Sequence, residues 1–207
     1  MTEKQLEAKR LYREYHSFQF TELKYIGHYG REATAHVCDI NGYRCCLASD
    51  VGYLSECIRK CVELELLSRN DYLVGRRMDG GRYAGGRSCR VIKLDALKAI
   101  KDEYLKMRWS DSDSFDNYIL CVESAEDVVS ESISNEDIAR IWELYDERQR
   151  LITEGTRERK EEKRREEMRE AGFDIDEPGQ EKDELGDLVD RIEALGWHVT
   201  LTRKEGA

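Results

Sequence analysis

The stretch Val51–Leu94 constrains the fold of this chain most strongly, because an amphipathic helical pattern is followed by a basic, glycine-rich hairpin pattern. Apolar side chains at positions 54, 57, 58, 61 and 62 have helical spacing, which predicts one buried helix face. The pattern predicts, in order, a helix at about Tyr53–Leu67, an extended segment at Asp71–Arg77, a tip at Met78–Gly86 and a second extended segment at Arg87–Leu94.

Charge is distributed unevenly along the 207 residues, whose net charge is −10. Residues 1–110 carry 20 Lys/Arg against 15 Asp/Glu, whereas residues 111–207 carry 14 against 29. The positive excess of the first half is concentrated in Arg69–Lys93, which holds seven basic and two acidic residues. This asymmetry predicts an anionic partner for the tip and a separate role for the acidic half.

The segment Arg31–Ala48 has two interpretations. Asn41-Gly42 between two apolar residues predicts a tight β-hairpin, in which Asp39 faces Arg44 and Cys38 faces Cys45. Alternatively, Asn41-Gly42 ends a helix at Ile40, and Cys45–Asp50 forms a second short helix. We favour the hairpin, but the sequence leaves both interpretations open.

The other segments predict several helices and one further strand. A capping box at Thr2-x-x-Gln5 predicts a helix over Glu3–Tyr15, and Phe18–Tyr29 is expected to be extended. Towards the C-terminus we expect a helix from Asp95 to Met107, a polar loop at Trp109–Asn117 and a strand at Tyr118–Val122. A long helix is expected to begin at Ser134-x-x-Asp137 and to be interrupted by Gly155. Its second half, Arg157–Glu170, is densely charged. A final helix and strand are expected at Leu185–Leu201.

These segments together predict the α+β class, with a small winged-helix-like or hairpin/helix N-terminal domain. The expected domains are a basic-tipped domain at 1–125, a long helix at 134–172, a linker at 173–181 and a helix–strand unit at 182–207. The apolar stripe of the long helix, from Ile138 to Ile152, needs a covering partner. The stripe Leu185–Leu195 is the strongest remaining candidate.

No enzymatic activity, metal or cofactor is predicted. Cys57 and Cys61 lie on the apolar helix stripe, and the seven cysteines include no CxxC pair. Gly81–Ser88 has phosphate-loop spacing, but a strand pattern follows where that motif requires a helix. No apolar run has the length of a signal peptide or a membrane span. We therefore expect a cytoplasmic protein with reduced thiols.

Residues 31–107 resemble the winged helix–turn–helix superfamily, which includes phage and plasmid replication and regulatory proteins. The resemblance rests on Leu47-Ala48-x-x-x-Gly52, on the helix that ends in Cys61-Val62-Glu63-Leu64-Glu65-Leu66-Leu67, and on a wing that closes with Arg90-Val91-Ile92-Lys93-Leu94. It implies that Tyr53–Leu67 enters the major groove of DNA while the wing contacts phosphates or the minor groove. The hairpin pattern at Asn41-Gly42 stands where this superfamily has a helix.

The candidate nucleic-acid-binding residues lie on the predicted helix and in the predicted wing. They are Ser55, Arg59 and Lys60 on the helix, and Arg76, Arg77, Arg82, Tyr83, Arg87 and Arg90 in the wing. Arginine forks match phosphate oxygens, and a tyrosine ring can stack on an unpaired base. The same helix residues also fit an ordinary solvated helix face, and the same tip fits a surface loop.

Two functional hypotheses follow. The first is a non-enzymatic accessory or regulatory protein, of the phage or mobile-element type, that binds nucleic acid, with DNA the first choice, through residues 53–93. In this hypothesis, residues 134–207 serve a protein partner or self-association. The second is an acidic interaction factor or inhibitor that covers the nucleic-acid-binding surface of a target protein through its C-terminal half. Neither hypothesis involves a membrane.

Overall fold

A curled sheet forms the centre of an α+β fold, which confirms the predicted class. The computed structural model describes residues 1–77, 86–107 and 111–171, and within these it contains seven strands. The strands are β1 (Ser17–Phe18), β2 (Thr21–Ile26), β3 (Glu32–Ile40), β4 (Tyr43–Leu47), β5 (Tyr72–Arg77), β6 (Arg87–Lys93) and β7 (Ser130–Glu131). The helices are α1 (Glu3–Tyr12), α2 (Leu54–Glu63), α3 (Leu94–Ala99), α4 (Lys101–Leu105), α5 (Ser112–Glu123) and α6 (Asn135–Glu170).

The strand order explains why the sheet curls. The order is β1-β5-β6-β4-β3-β2, and β7 adds to β3 in parallel. β1 and β2 are consecutive in the chain but lie at opposite ends of this order, so the two residues between them connect both ends of the sheet. β1 pairs with β5 in parallel, whereas the other pairs along the path are antiparallel.

The hairpin interpretation of residues 31–48 is confirmed, and the two-helix alternative is wrong. Asn41 and Gly42 have φ values of 51° and 81°, as a two-residue hairpin turn of this type requires. Cys38 pairs with Cys45 and Asp39 with Arg44, and Arg44 Nε donates a hydrogen bond of 2.7 Å to Asp39. β3 therefore occupies the segment where the winged-helix resemblance has a helix. The resemblance itself stays a prediction.

The predicted apolar face of α2 is confirmed, although the helix is shorter than expected. Leu54, Cys57, Ile58 and Cys61 are all buried. The helix ends at Glu63, and Glu65 adopts a left-handed conformation with a φ of 58°. The two extended segments that follow α2 in the prediction are confirmed as β5 and β6, which pair along their full length.

The long helix α6 begins where the sequence predicts, at a Ser134 cap whose Oγ accepts a hydrogen bond of 3.0 Å from the Asp137 backbone. The predicted interruption at Gly155 is wrong, because the helix runs from Asn135 to Glu170. One compact unit comprises Glu3–Thr153, and residues 154–207 belong to another. The expected boundary at 123–134 lies within the first unit.

The apolar stripe of α6 is covered by the sheet and by α1. Trp142 packs edge-to-face on Tyr72 of β5, with ring centroids 5.1 Å apart. Leu144 and Leu151 form a second cluster with three α1-side residues, Ala8, Leu11 and Tyr15. The stripe is therefore packed against described residues, whereas Leu185–Leu195 lies outside the described residues, as does everything expected beyond residue 171.

Two expectations in residues 95–123 are wrong. The expected helix Asp95–Met107 is two short helices, α3 and α4, and Asp95 lies inside the first turn rather than at the cap. The expected polar loop and strand are instead α5, because Asp111 caps the helix by accepting hydrogen bonds from the Asp113 and Ser114 backbones. The buried side chains of α5 have helical spacing: Phe115, Tyr118, Ile119 and Val122.

Within the described ranges, no helix is both long enough and apolar enough to cross a membrane.

Candidate anion-binding face

The predicted helix cations are paired with carboxylates. Arg59 donates a hydrogen bond of 2.6 Å to Glu63, one turn further along α2. Lys60 Nζ lies 3.2 Å from Glu103 of α4. Both pairs are exposed, so the α2 surface carries balanced charge. Ser55, one turn before Arg59 on α2, lines a cavity between α2, the sheet and α6.

Arg77, at the end of β5, belongs to a charge network. Its Nη2 lies 2.9 Å from Nε2 of His36, and because a guanidinium only donates, Nε2 must accept. The imidazole proton therefore sits on Nδ1, which donates to Asp50 at 2.8 Å. Burial raises the pKa of Asp50, and the hydrogen bonds from His36 oppose this rise. Arg77 also lies 4.0 Å from Glu22, so its charge is balanced locally.

A different set of arginines converges on the outer face of β5 and β6, where α1 and α6 pack. Cross-strand pairing sets Val74 opposite Arg90 and Arg76 opposite Ser88, which places both arginines on one side of the sheet. Arg90 donates a hydrogen bond of 2.9 Å to the Tyr145 hydroxyl of α6. The Arg148 guanidinium lies 4.9 Å from the Tyr12 ring centroid and 5.9 Å from that of Tyr15. We call the set Arg76, Arg90, Arg148, Tyr12, Tyr15 and Tyr145 the cationic face.

The three arginines of the cationic face have no carboxylate partner within the described part of the chain. The Nε atoms of Arg76 and Arg148 are buried and form no hydrogen bond there. The acidic residues beside Arg148 are already engaged, since Asp146 binds Arg69 through two hydrogen bonds and Glu147 binds Arg150. A desolvated guanidinium donor without an acceptor is costly. An anion from outside the described residues would stabilise this arrangement.

The cavity beside these arginines has a volume of about 180 Å³ and is lined by donor groups. Ser55, Ser88, Arg90, Arg148 and Gln149 contribute to its wall. Burial raises the pKa of Tyr12 and raises that of Tyr15 to about 12, so both phenols are neutral at neutral pH, and their hydroxyls donate to the backbone carbonyls of Gly86 and Leu144. The volume is below the roughly 300–1,000 Å³ of whole-ligand pockets. It therefore suits one anionic group of a larger ligand.

The predicted site residues thus separate by where the structure places them. Ser55 and Arg90 line the cavity and Arg76 lies beside it, whereas Arg59, Lys60 and Arg77 are held in pairs or networks elsewhere. Arg87 is exposed on β6, and Arg82 and Tyr83 lie outside the described residues. Sequence reasoning missed Arg148, Tyr12, Tyr15 and Tyr145. Arg148 follows the apolar stripe residues Ile141 and Tyr145 at helical spacing, and a cation on a buried stripe is the pattern that could have found it.

No protein-family model, curated protein or solved structure matches this chain.

Proposed function

We propose that this chain is a non-enzymatic nucleic-acid-binding protein of the accessory or regulatory kind, with its phosphate contacts on the cationic face. The observation that carries the proposal is the convergence of three arginines that have no carboxylate partner among the described residues and are flanked by tyrosines. Arginine is the preferred residue for planar, multidentate recognition of phosphate oxygens. Half or more of the hydrogen bonds in protein–DNA interfaces go to the phosphate–sugar backbone.

The proposal moves the binding surface away from the outer face of α2. Arg59 and Lys60 are neutralised by Glu63 and Glu103, so they have little charge to offer an incoming phosphate. The cationic face draws its charge from β5, β6 and α6 instead. All seven cysteines are thiols rather than disulfides, and five of them are buried, which supports a reducing compartment such as the cytoplasm.

Binding to nucleic acid is tested with the full chain by fluorescence anisotropy across a series of NaCl concentrations. The probes are a labelled single-stranded DNA, its duplex and an RNA of the same sequence. Three phosphate contacts predict a slope of log K against log salt of about −2 for single strands and about −2.7 for duplex DNA. A flat salt dependence contradicts the proposal. Absence of binding to all three probes would favour the acidic interaction factor instead.

The site is tested by two variants that differ by two positions on α6. Arg148→Gln removes an arginine of the cationic face, whereas Arg150→Gln removes one that is paired with Glu147. We expect Arg148→Gln to weaken binding about tenfold, as loss of a charge-assisted contact does, and to make the salt slope shallower by roughly 0.7–0.9. Arg150→Gln should bind within about twofold of the unmodified chain. Equal losses in both variants would assign binding to net charge rather than to this face.

A further inference from the structure

A second cavity lies against the same side of α6 as the cationic face. Its volume is about 420 Å³, and α6 contributes Asn135 and Ile138 to its wall, whereas Tyr145 and Arg148 line the smaller cavity. The step of seven positions from Ile138 to Tyr145 corresponds to about 10 Å along the helix axis. Leu73 and Val91 of the second cavity's wall alternate along β5 and β6 with Val74 and Arg90, so the two cavities lie on opposite faces of this strand pair.

The second cavity has an apolar floor and a polar rim. Ile40, Leu73, Val91 and Ile138 form the floor. The rim carries the side-chain amides of Asn70 and Asn135, which form no hydrogen bond within the described ranges. No Asp or Glu stands among the described lining residues. A neutral or anionic ligand is therefore favoured over a cation.

Tyr43 gives the cavity a flat aromatic wall at its mouth. The side chain is 53% exposed, and Lys93 Nζ lies 4.0 Å from its ring centroid. This cation–π contact fixes one side of the ring. Lys93 has no carboxylate partner in the part of the chain that is described, so it offers positive charge at the mouth of the cavity.

We propose that this cavity receives one unpaired nucleobase of a bound nucleic-acid strand, so that the protein selects single-stranded over duplex nucleic acid. This inference rests on the proposed function. The apolar floor and the Tyr43 ring suit the faces of a base, and amide groups match the donors and acceptors on its edge. The volume lies within the range of pockets for small planar ligands. A base in a duplex cannot enter, because its edge is paired and its faces are stacked.

The inference is tested on the full chain with a single-stranded oligonucleotide that carries 2-aminopurine, whose fluorescence reports base stacking. Anisotropy gives the affinity of the same probe. We expect the single strand to bind at least tenfold more tightly than its duplex and binding to change the 2-aminopurine signal. Tyr43→Ala should weaken single-strand binding by about tenfold and reduce this change, since stacking on one aromatic ring contributes on that scale. The salt slope should remain unchanged, because the phosphate contacts are intact.

Three further variants make the test specific. Tyr43→Phe keeps the ring and should retain binding. Tyr53→Ala removes a tyrosine of matching exposure, 52%, that lines neither cavity and should have no effect. Asn70→Ala removes an exposed rim amide without disturbing the core and should weaken binding by a few-fold.

The outcomes separate this inference from the proposed function. If Arg148→Gln weakens binding but Tyr43→Ala leaves both affinity and the base signal unchanged, the base pocket is refuted and the phosphate site stands. Equal affinity for single strand and duplex would refute it in the same way. If no oligonucleotide binds, the proposed function fails, and the base pocket fails with it.

Discussion

The outer face of α2 and the cationic face both carry basic residues, but they differ in what stands beside the charge. On α2, Arg59 and Lys60 each meet a carboxylate, within the helix or from α4. On the cationic face, the neighbours of Arg90 and Arg148 are tyrosines. The comparison shows that positive charge in a sequence does not locate an anion site. The site is marked by positive charge that the fold leaves without a carboxylate.

The two arrangements also differ in energetic character. An exposed pair such as Arg59–Glu63 contributes only about 0.3–0.5 kcal/mol to helix stability, because water already solvates both groups. A guanidinium whose Nε is buried without an acceptor has lost that solvation. It therefore has more to gain from a bound phosphate than an exposed arginine has.

The largest expected effect concerns the packing that brings α6 to the sheet. Trp142→Ala removes the ring that packs on Tyr72 and should lower the free energy of unfolding by about 3–5 kcal/mol. Urea denaturation followed by circular dichroism measures this loss. Leu66→Ala, at the exposed end of the α2 region, should change stability by less than about 0.5 kcal/mol. A Trp142→Ala variant of near-normal stability would mean that α6 does not hold the cationic face in place.

The second prediction compares the two basic surfaces directly. The double variant Arg90→Gln/Arg148→Gln should lose at least about 100-fold in affinity for single-stranded DNA, since two charge-assisted contacts disappear. The double variant Arg59→Gln/Lys60→Gln removes the same formal charge and should lose less than about threefold. Anisotropy at constant salt concentration measures both. Comparable losses would remove the distinction between the two surfaces.

The third prediction uses cysteines that report on the two regions. Cys57 and Cys61 lie on the fully buried face of α2, and burial raises the pKa of Cys57 to about 12. Maleimide should therefore not label them in the native protein. Cys89 lines the smaller cavity and should be labelled, as should the half-buried Cys121. Bound oligonucleotide should slow the labelling of Cys89 about fivefold when about four-fifths of the protein is occupied. Mass spectrometry of the labelled peptides distinguishes the sites, and equal protection of Cys121 would count against a specific site.

The smallest effect is expected from pH. The pKa of Tyr15 is about 12 in the folded chain against a reference value of 10.0. Its contribution to stability is therefore fully present below pH 10 and is lost as pH rises towards 12.

On the α2 side, hydrogen bonds from Lys106 and Lys60 lower the pKa of Glu103 from 4.5. The contribution of these hydrogen bonds to stability is therefore present above pH 4.5 and is lost as pH falls through the lowered pKa. Affinity should stay constant between about pH 7.5 and 9, above the reference pKa of histidine and below those of tyrosine and lysine. A midpoint within that window would show that some other group controls the site.

Local chemistry accounts for the parts of the fold that the sequence predicts. Asn41-Gly42 favours the two-residue hairpin turn between β3 and β4. Ser134 caps the helix that follows it, and the apolar residues of α2 have a helical period. Asp111 carries the same kind of capping information, but its Ser/Asp-rich surroundings resemble a loop until the helical spacing of Phe115 and Tyr118 is noticed. These elements are set by neighbours in the chain.

The cationic face could not be predicted in the same way, because its contacts join distant parts of the chain. Arg148 meets Tyr12 from the other end of the compact unit, and Lys60 meets a carboxylate 43 positions away. No period or spacing records which arginine receives a carboxylate. Sequence reasoning therefore selected the basic segment but could not separate paired from unpaired cations within it.

The late position of α6 has a consequence for how the protein is made. At about 5–20 residues per second, a ribosome takes roughly 3–11 s to extend the chain from Lys93 to Arg148. During that interval β5 and β6 have emerged, but the helix that covers Tyr72 and supplies Arg148 has not been synthesised. The nascent chain should then expose apolar surface and lack a complete phosphate site. Ribosome-arrested chains that end before α6 should be cleaved by protease within β5 and β6, whereas chains that expose the whole of Glu3–Thr153 should resist. Resistance of the shorter chains would show that the sheet folds without its covering helix.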